Sequence, residues 1–509
     1  MKFNLTVNTK EKDLIQDYND FKSPFNHYKL LEIQEKIIEK YYKFVDSEKN
    51  IENKQLFLSG GMVSLITSLP YIEKSYAILS AKLMKIDLKG EDEISKFLLK
   101  KISIRKISGK NFLRLKPRKI PKLNKLISIY RTLKYNPIKS HLKLINNDKQ
   151  SFTISSLILD YFYKKKLTVN FVFPQNYLNY PEFNRKIINN EKVNELAEKF
   201  YNAVFYIKDL ENPQLKRLII DDLKYYFKYT KFQFDILRKK NPPSVIYTGT
   251  GGMFTNRVIG LWAMNKGSAV IRFAHGSSAS FFYKSDYPSK IIELKPSSTF
   301  VFPTQKFHDF IIKIRKWDKN SVGCQLDYSK GHKDFLIKTK KNSGRKKKIL
   351  YVGAHIRNHT QTLSPNIFDT IYLDWQIFLL KTLRKIDKDI QSIIHPQSYL
   401  PRENNPINSF NSNLNFEDVF DNFDVLIFDY FKSTTFSKSL CTNKHIIFVD
   451  VGGNSMINGF KKKIKERCNF ILPYLDKNNR LRIDKDSLED SIYRRRNFNI
   501  DFFKELYCG

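Results

Sequence analysis

The sequence predicts an α/β protein with two parallel-sheet units behind a mostly helical N-terminal region, and three observations predict it. A chain of 509 residues with 41% hydrophobic and 14% aromatic residues can bury more than one core. From about residue 151, short apolar runs alternate with amphipathic stretches, the pattern of strands joined by crossover helices. A polar, basic stretch, "GHKDFLIKTKKNSGRKKK" (331–348), then divides that series in two and reads as the linker.

Residues 1–150 form the helical, basic N-terminal region. In "HYKLLEIQEKIIEKYYKFV" Leu30, Ile33, Ile37 and Ile38 recur at helical spacing. "LFLSGGMVSLITSL" (56–69) reads as a strand, a tight turn and a helix, either a plain turn or one whose free amides could hold an anion. The first α/β unit covers 151–330. Its apolar runs are "LTVNFVFP" (167–174), "SVIYTGTGG" (244–252), "AVIRFAHG" (269–276) and "STFVFPT" (298–304), with amphipathic "KVNELAEKFYNAVFYI" (192–207) and "RVIGLWAMNKG" (257–267) between them. The second unit covers 346–484. It runs through "KILYVGAH" (348–355), the helix "YLDWQIFLLKTLRKID" (372–387), "QSIIHP" (391–396), "NFEDVFDNF" (415–423), "DVLIFD" (424–429), a helix near Phe436–Cys441 and "HIIFVDVG" (445–452). A C-terminal helix, 485–509, could cross back onto the first unit.

Lys and Arg number 89 against 51 acidic residues, a net charge of +38, and residues 101–150 hold 15 basic residues against the single acid Asp148. Such a segment is either a solvated face or a docking surface for an anionic membrane, a nucleic acid or a phosphorylated substrate. The aromatics fall inside apolar runs and no nucleic-acid motif appears, which sets nucleic acid behind the other partners. Four cysteines without CxxC spacing suggest neither a zinc ribbon nor a disulfide scaffold and fit a reducing cytoplasm. The N-terminus lacks the apolar core of a signal peptide, and no run reaches ~18 uninterrupted apolar residues, so membrane contact is expected to be peripheral.

Chemistry gathers at predicted strand ends. In "FDVLIFDYFKSTTFSKSL", Ser433, Thr434 and Thr435 stand where a strand has ended and a helix begins, placed to cap the helix or to meet phosphate oxygens. His395 ends "QSIIHP", where an imidazole can donate to a phosphate, move a proton or serve a structural role. Arg357 follows "ILYVGAH", a guanidinium suited to a diphosphate. His355 and His359 flank it at metal-ligand spacing, but with no carboxylate to complete a site, no metal is expected. In the first unit His275, with Gly276 and Ser277 behind it, is a candidate general base or a capped turn histidine. Thr248, Gly249, Gly251 and Gly252 form a Gly-rich loop without GxGxxG spacing or a Walker lysine, a possible ligand loop.

The order of these features, a His-Gly after a first-unit strand, then "ILYVGAHIR", "IIHP" and "DVLIFDYFKSTTFSKSL", resembles the catalytic region of the CDP-glycerol glycerophosphotransferase family. The resemblance spans about 244–455. The His-Pro and hydroxyl arrangement is also similar to bacterial transferases of CMP-activated acidic sugars. It implies a GT-B-like fold, two Rossmann-like domains facing a cleft, with 151–330 as acceptor domain and 346–484 as donor-nucleotide domain. It implies an inverting, metal-independent transferase that uses a cytidine-activated sugar or polyol as substrate, with no cofactor, to build a bacterial surface polysaccharide. The acceptor would be a glycan or lipid-linked hydroxyl at the inner face of the cell membrane. The implied roles are catalysis for His275 and His395 and donor or phosphate binding for Arg357, His395, Ser433, Thr434 and Thr435. Two departures mark this chain. Ala274 and Ser277-Ser278 stand where the family has Trp and Thr-Pro, and Phe431-Lys432 intervene before the hydroxyl turn. A nucleic-acid-binding protein and a non-catalytic GT-B-like scaffold are the alternatives.

Overall fold

The computed structural model describes residues 2–5, 22–90, 92–100, 142–145, 157–158, 161, 165, 170–172, 177–178, 191–210, 212–249, 252–318, 322–336, 347–356, 367–393, 395, 398, 416–452, 455–494 and 498–509. Among the described residues, β1 Lys2–Asn4 pairs in parallel with β2 Asp87–Lys89, and two larger parallel sheets dominate the fold. The first has six strands in the order β4-β3-β5-β6-β7-β8, where β3 is Leu142–Ile145, β4 Asn170–Val172, β5 Val245–Thr248, β6 Ala269–Phe273, β7 Thr299–Phe302 and β8 Gln325–Tyr328. The second has five in the order β10-β9-β11-β12-β13: β9 Ile349–Val352, β10 Gln391–Ile393, β11 Val425–Phe428, β12 His445–Val449 and β13 Asn469–Ile471. Every pairing in both is parallel. Counted from its own first strand, the first sheet runs 2-1-3-4-5-6 and the second 2-1-3-4-5, the doubly wound pattern in which strand order reverses beside the first strand. The GT-B-like expectation of two parallel α/β units is met.

Both faces of the second sheet are buried, which is why its strands read as continuous apolar runs. Alternate residues serve different cores. Ile349, Tyr351, Val425, Ile427, Ile447 and Val449 join one apolar cluster with the N-terminal helices, while Leu350, Val352, Leu426, Phe428, Ile446 and Phe448 join another. Each cluster also takes residues from the first sheet, so the two units share their cores.

The expected strand and turn at 56–69 are corrected. Helix Ile51–Leu56 passes through one π-turn, Phe57–Gly61, into helix Met62–Leu83 without a break. Gly60 and Gly61 are there for close packing. A Cβ on Gly60 would lie 2.6 Å from Thr230 Oγ1, and one on Gly61 2.8 Å from the Phe200 ring. Buried Arg257 donates from Nη1 to the Leu58 carbonyl at 3.1 Å, so this segment anchors the helical region and offers no anion site. Ile51–Leu83 is long and apolar enough, by length and composition, to cross a membrane, and its most apolar window is wholly buried inside the fold.

The expected boundary at 151 also shifts, because β3 lies before it and sits inside the first sheet beside β5. Apart from β3, the basic segment 101–150 lies outside the described residues, as does most of the linker. The expected C-terminal helix is two helices, Lys485–Tyr493 and Asp501–Tyr507. The second does cross back to the first unit, where Lys306 pairs with Glu505 at 2.9 Å and Thr304 Oγ1 donates to the Leu506 carbonyl at 2.8 Å. β8 and β13 escaped the sequence analysis. β8 carries the half-buried, polar QLDY of an edge strand, and β13 is three residues long.

Helix His27–Ser47 ties the helical region to both units. Near its C-terminal end Tyr42 stacks on Tyr287 at 4.3 Å and Asp46 pairs with Lys295 of the first unit. At its N-terminal end, buried His27 donates from Nε2 to the Val451 carbonyl of the second at 3.4 Å. Burial pulls the His27 imidazole down from 6.5 to about 4. Only the unfolded chain takes up this proton between those values, so His27 contributes stability above pH 6.5 that is lost as pH falls toward about 4. Unfolding free energies across that window should drop by on the order of 3 kcal/mol from this group. His27→Leu should flatten that part of the pH profile, and equal slopes for the two proteins would contradict the assignment.

Candidate functional site

In doubly wound sheets ligands bind outside the carboxyl ends of the strands, where strand order reverses. In the second unit that point lies between β9 and β11, and a pocket of about 530 Å³, partly open to solvent, is found there. Ala354 and His355 reach it from the end of β9, Asp429 to Lys432 from β11, and Asp450 to Gly452 from β12. Ile367, Asp369 and Tyr372 close the far side.

Asp429 forms the floor. It is buried and accepts hydrogen bonds from Tyr351 Oη at 2.6 Å, Tyr372 Oη at 2.9 Å and Trp375 Nε1 at 2.9 Å. Tyr372 Oη in turn accepts from the Ala354 amide at 2.6 Å. Burial pushes the Asp429 carboxyl above its usual range, opposed by these donors, and carries both tyrosines well above theirs. Gly353 makes room for the network, since a Cβ there would lie 2.7 Å from Tyr351 Oη. Sequence reasoning missed this floor. Its signal was Asp429 ending an apolar strand, with Tyr372 and Trp375 spaced i, i+3 on one helix face.

Asp450 pairs with Lys461 at 3.0 Å and accepts from the Gly452 amide. Gly452 has φ +79, a backbone open to glycine, and a Cβ there would strike the Tyr28 ring at 2.5 Å. The N-terminal helix thus abuts one rim of the pocket.

The hydroxyl turn follows directly. Ser433 caps helix Thr434–Leu440 by accepting from the Thr435 amide at 3.2 Å, and the Ser433 and Thr435 hydroxyls bond each other. The capping role is therefore present in the fold. The intervening pair Phe431-Lys432 joins the two units. Buried Phe431 meets Tyr283 of the first unit with ring centroids 5.8 Å apart, and Lys432 Nζ lies 5.0 Å over the same ring. Nearby, Phe282 stacks on Phe460 at 3.8 Å and the Ile457 amide donates to the Phe282 carbonyl at 2.9 Å.

Against this turn rests the one after β6. Ser277 Oγ donates to the Lys432 carbonyl at 3.1 Å, and a Cβ on Gly276, at φ +50, would come within 2.8 Å of Thr434 Oγ1. His275 beside them is exposed, its Nδ1 3.9 Å from Oε1 of buried Glu293. The carboxyl ends of the two sheets therefore face each other, and the structure brings His275, Gly276 and Ser277 together with Ser433, Thr434 and Thr435. Thr248 ends β5, the strand next to β6, and Gly249 beyond it has open space around its Cα, on the same sheet edge. Gly252 is exposed, and Gly251 lies outside the described residues.

His395 follows β10, its ring 4.7 Å from that of His355, which stands edge-on to Tyr430 at 6.4 Å. Burial pulls His395 below its ordinary value, leaving a neutral imidazole at neutral pH. Arg357 and His359 lie outside the described residues. Among the described residues no group of three or more His, Cys, Asp or Glu could hold a metal ion.

No protein-family model matches the chain, and no curated protein matches it. Among solved structures, the complex of a UDP-glucosyltransferase from Polygonum tinctorium, capable of glucosylating indoxyl, with 3,4-dichloroaniline is similar over 72% of this chain and 92% of that one, at a TM-score of 0.36 and 10% identity. A likeness of that grade adds nothing to what the two sheets show by themselves.

Replacing Asp429 with Ala strands three buried donors at roughly 1 kcal/mol or more each. Chemical denaturation should register a loss of about 3 kcal/mol for Asp429→Ala. A loss within experimental error of zero would mean that the floor is not formed.

Proposed function

We propose that the chain is a GT-B-type transferase that moves a sugar or polyol phosphate from a cytidine-activated donor to an acceptor hydroxyl, building a bacterial surface polysaccharide or glycopolymer. One observation carries the two-unit transferase reading. The turn holding a candidate base, His275, rests against the turn that follows a pocket at the reversal point of the other sheet, through the Ser277 to Lys432 hydrogen bond. The cytidine nucleotide and the polymer rest on the sequence resemblance alone.

In this reading the second unit holds the donor. Its pocket offers acidic Asp369 and Asp450 to hydroxyls and Tyr430 to a flat ring, while Lys432, at the mouth, supplies a cation for phosphate oxygens. His275 takes the proton of the acceptor hydroxyl, the acceptor oxygen bonds to the transferred group, and the nucleotide leaves with the electron pair of the broken bond. The charge growing on the leaving phosphate is met by side chains, His395, Arg357 and the hydroxyl turn, with no metal required. A neutral His395 donates one N–H and can gain a proton as that charge develops. The basic 101–150 segment docks the enzyme on an anionic membrane, each well-placed cation contributing about 1 kcal/mol.

A thermal-shift panel of CMP, CDP, UDP and GDP tests the donor assignment. CMP or CDP at one hundred times its Kd should stabilise the fold by about 2.7 kcal/mol. No shift with either cytidine nucleotide at millimolar concentration, or a larger shift with UDP or GDP, would reject the cytidine assignment.

A further inference from the structure

Glu293 is a buried carboxylate that the proposed reaction leaves unused. It belongs to the π-turn Lys290–Leu294, and its side chain is 4% exposed where that of His275 is 53% exposed. Burying a carboxyl group at such depth without partners is costly. Here two guanidiniums stand within electrostatic reach, Arg272 on β6 and Arg257 on helix Phe254–Asn265, both fully buried. Burial pulls each down to about 10, so both stay charged at neutral pH. Arg272 donates from Nη2 to the Pro296 carbonyl at 3.0 Å, and its Nε and Nη1 have no hydrogen-bond partner among the described residues. That leaves its positive charge incompletely answered by hydrogen bonds, with the Glu293 carboxyl within electrostatic reach. Other titratable groups around the two guanidiniums, Tyr41 and Cys324, are neutral at physiological pH, since burial pushes the Tyr41 hydroxyl far up and the Cys324 thiol to about 12.

We propose that Glu293 is the positioning residue of His275, holding the proton on Nδ1 so that the lone pair which accepts a substrate proton lies on Nε2. The 3.9 Å gap between Nδ1 and Oε1 is closed by a small rotation of the exposed imidazole or bridged by one water. Which ring nitrogen carries the proton is set by the partner of the other one. As His275 takes up a proton at Nε2, the carboxylate offsets the imidazolium charge. The proposal rests on the reading of His275 as base, but its test needs no donor or acceptor.

The full-length protein is labelled with ¹⁵N-histidine, and its imidazole signals are recorded at mildly alkaline pH, where an ordinary imidazole is neutral. The His275 signals are assigned by their loss in His275→Gln. The wild-type protein should show His275 mainly as the Nδ1–H form, against the Nε2–H form that a free imidazole side chain prefers. Glu293→Gln should shift the population toward Nε2–H, and Glu293→Asp should restore much of the wild-type pattern. A wild-type His275 mainly in the Nε2–H form, or a Glu293→Gln spectrum identical to wild type, overturns the proposal. Should Glu293→Gln fail to fold, the wild-type tautomer alone decides. Failure of the nucleotide panel with an intact Nδ1–H signature would reject the donor assignment while leaving the pairing in place.

Discussion

The turn after β6 rests on the turn after β11, and most of what is distinctive about this molecule depends on that contact. It is small, one hydrogen bond from Ser277 and one close approach between Gly276 and Thr434. Its location gives it weight, because parallel strands all point their carboxyl ends the same way and each sheet gathers its loop chemistry on one edge. Once two such edges touch, the turn that carries His275 lies against the turn that leads out of the pocket. Gly276 is required on two counts, a positive φ and the absence of a Cβ, and Ser278 two residues on also takes a left-handed backbone, at φ +47.

The packing around the contact explains why it is held. The two sheets have no separate cores. One apolar cluster runs from the N-terminal helices through one face of both sheets, and the other runs through the opposite faces to the C-terminal helix. Sliding one unit against the other would open both. Helix His27–Ser47 adds a strap across the two units, and the final helix adds a second on the other side, where Tyr507 Oη donates to the Ser277 carbonyl at 3.4 Å. The turn that carries His275 is thereby braced by helix Asp501–Tyr507.

Much of the fold was legible because a strand buried on both faces is an uninterrupted apolar run. "ILYV", "VLIF" and "HIIFV" could hardly be anything else between amphipathic stretches. The failures have equally physical reasons. "LSGG" imitates a turn, since glycine signals both chain reversal and close packing, and only the neighbouring Thr230 and Phe200 decide which applies. The edge strand β8 lacks a second buried face and so lacks the apolar signature. At the site, strand-end polar residues such as His275 and Ser433 were visible as breaks in apolar patterns. Asp429 was visible too, but its partners Tyr351, Tyr372 and Trp375 read as ordinary core aromatics, and Glu293 lies far from His275 in sequence on an unremarked turn. The intervening Phe431-Lys432, a departure from the resembled family, is among the segments that contact the first unit.

The central claim is that one ligand site spans the facing edges of the two sheets. Hydrogen–deuterium exchange of the full-length protein with and without CMP tests it most directly. The account predicts that bound nucleotide slows exchange in 352–356, 428–435 and 450–452, with a smaller coupled change in 274–278 across the contact. Slowed exchange confined to segments outside those strand ends, or protection of the second-unit segments with 274–278 wholly unaffected, would contradict it.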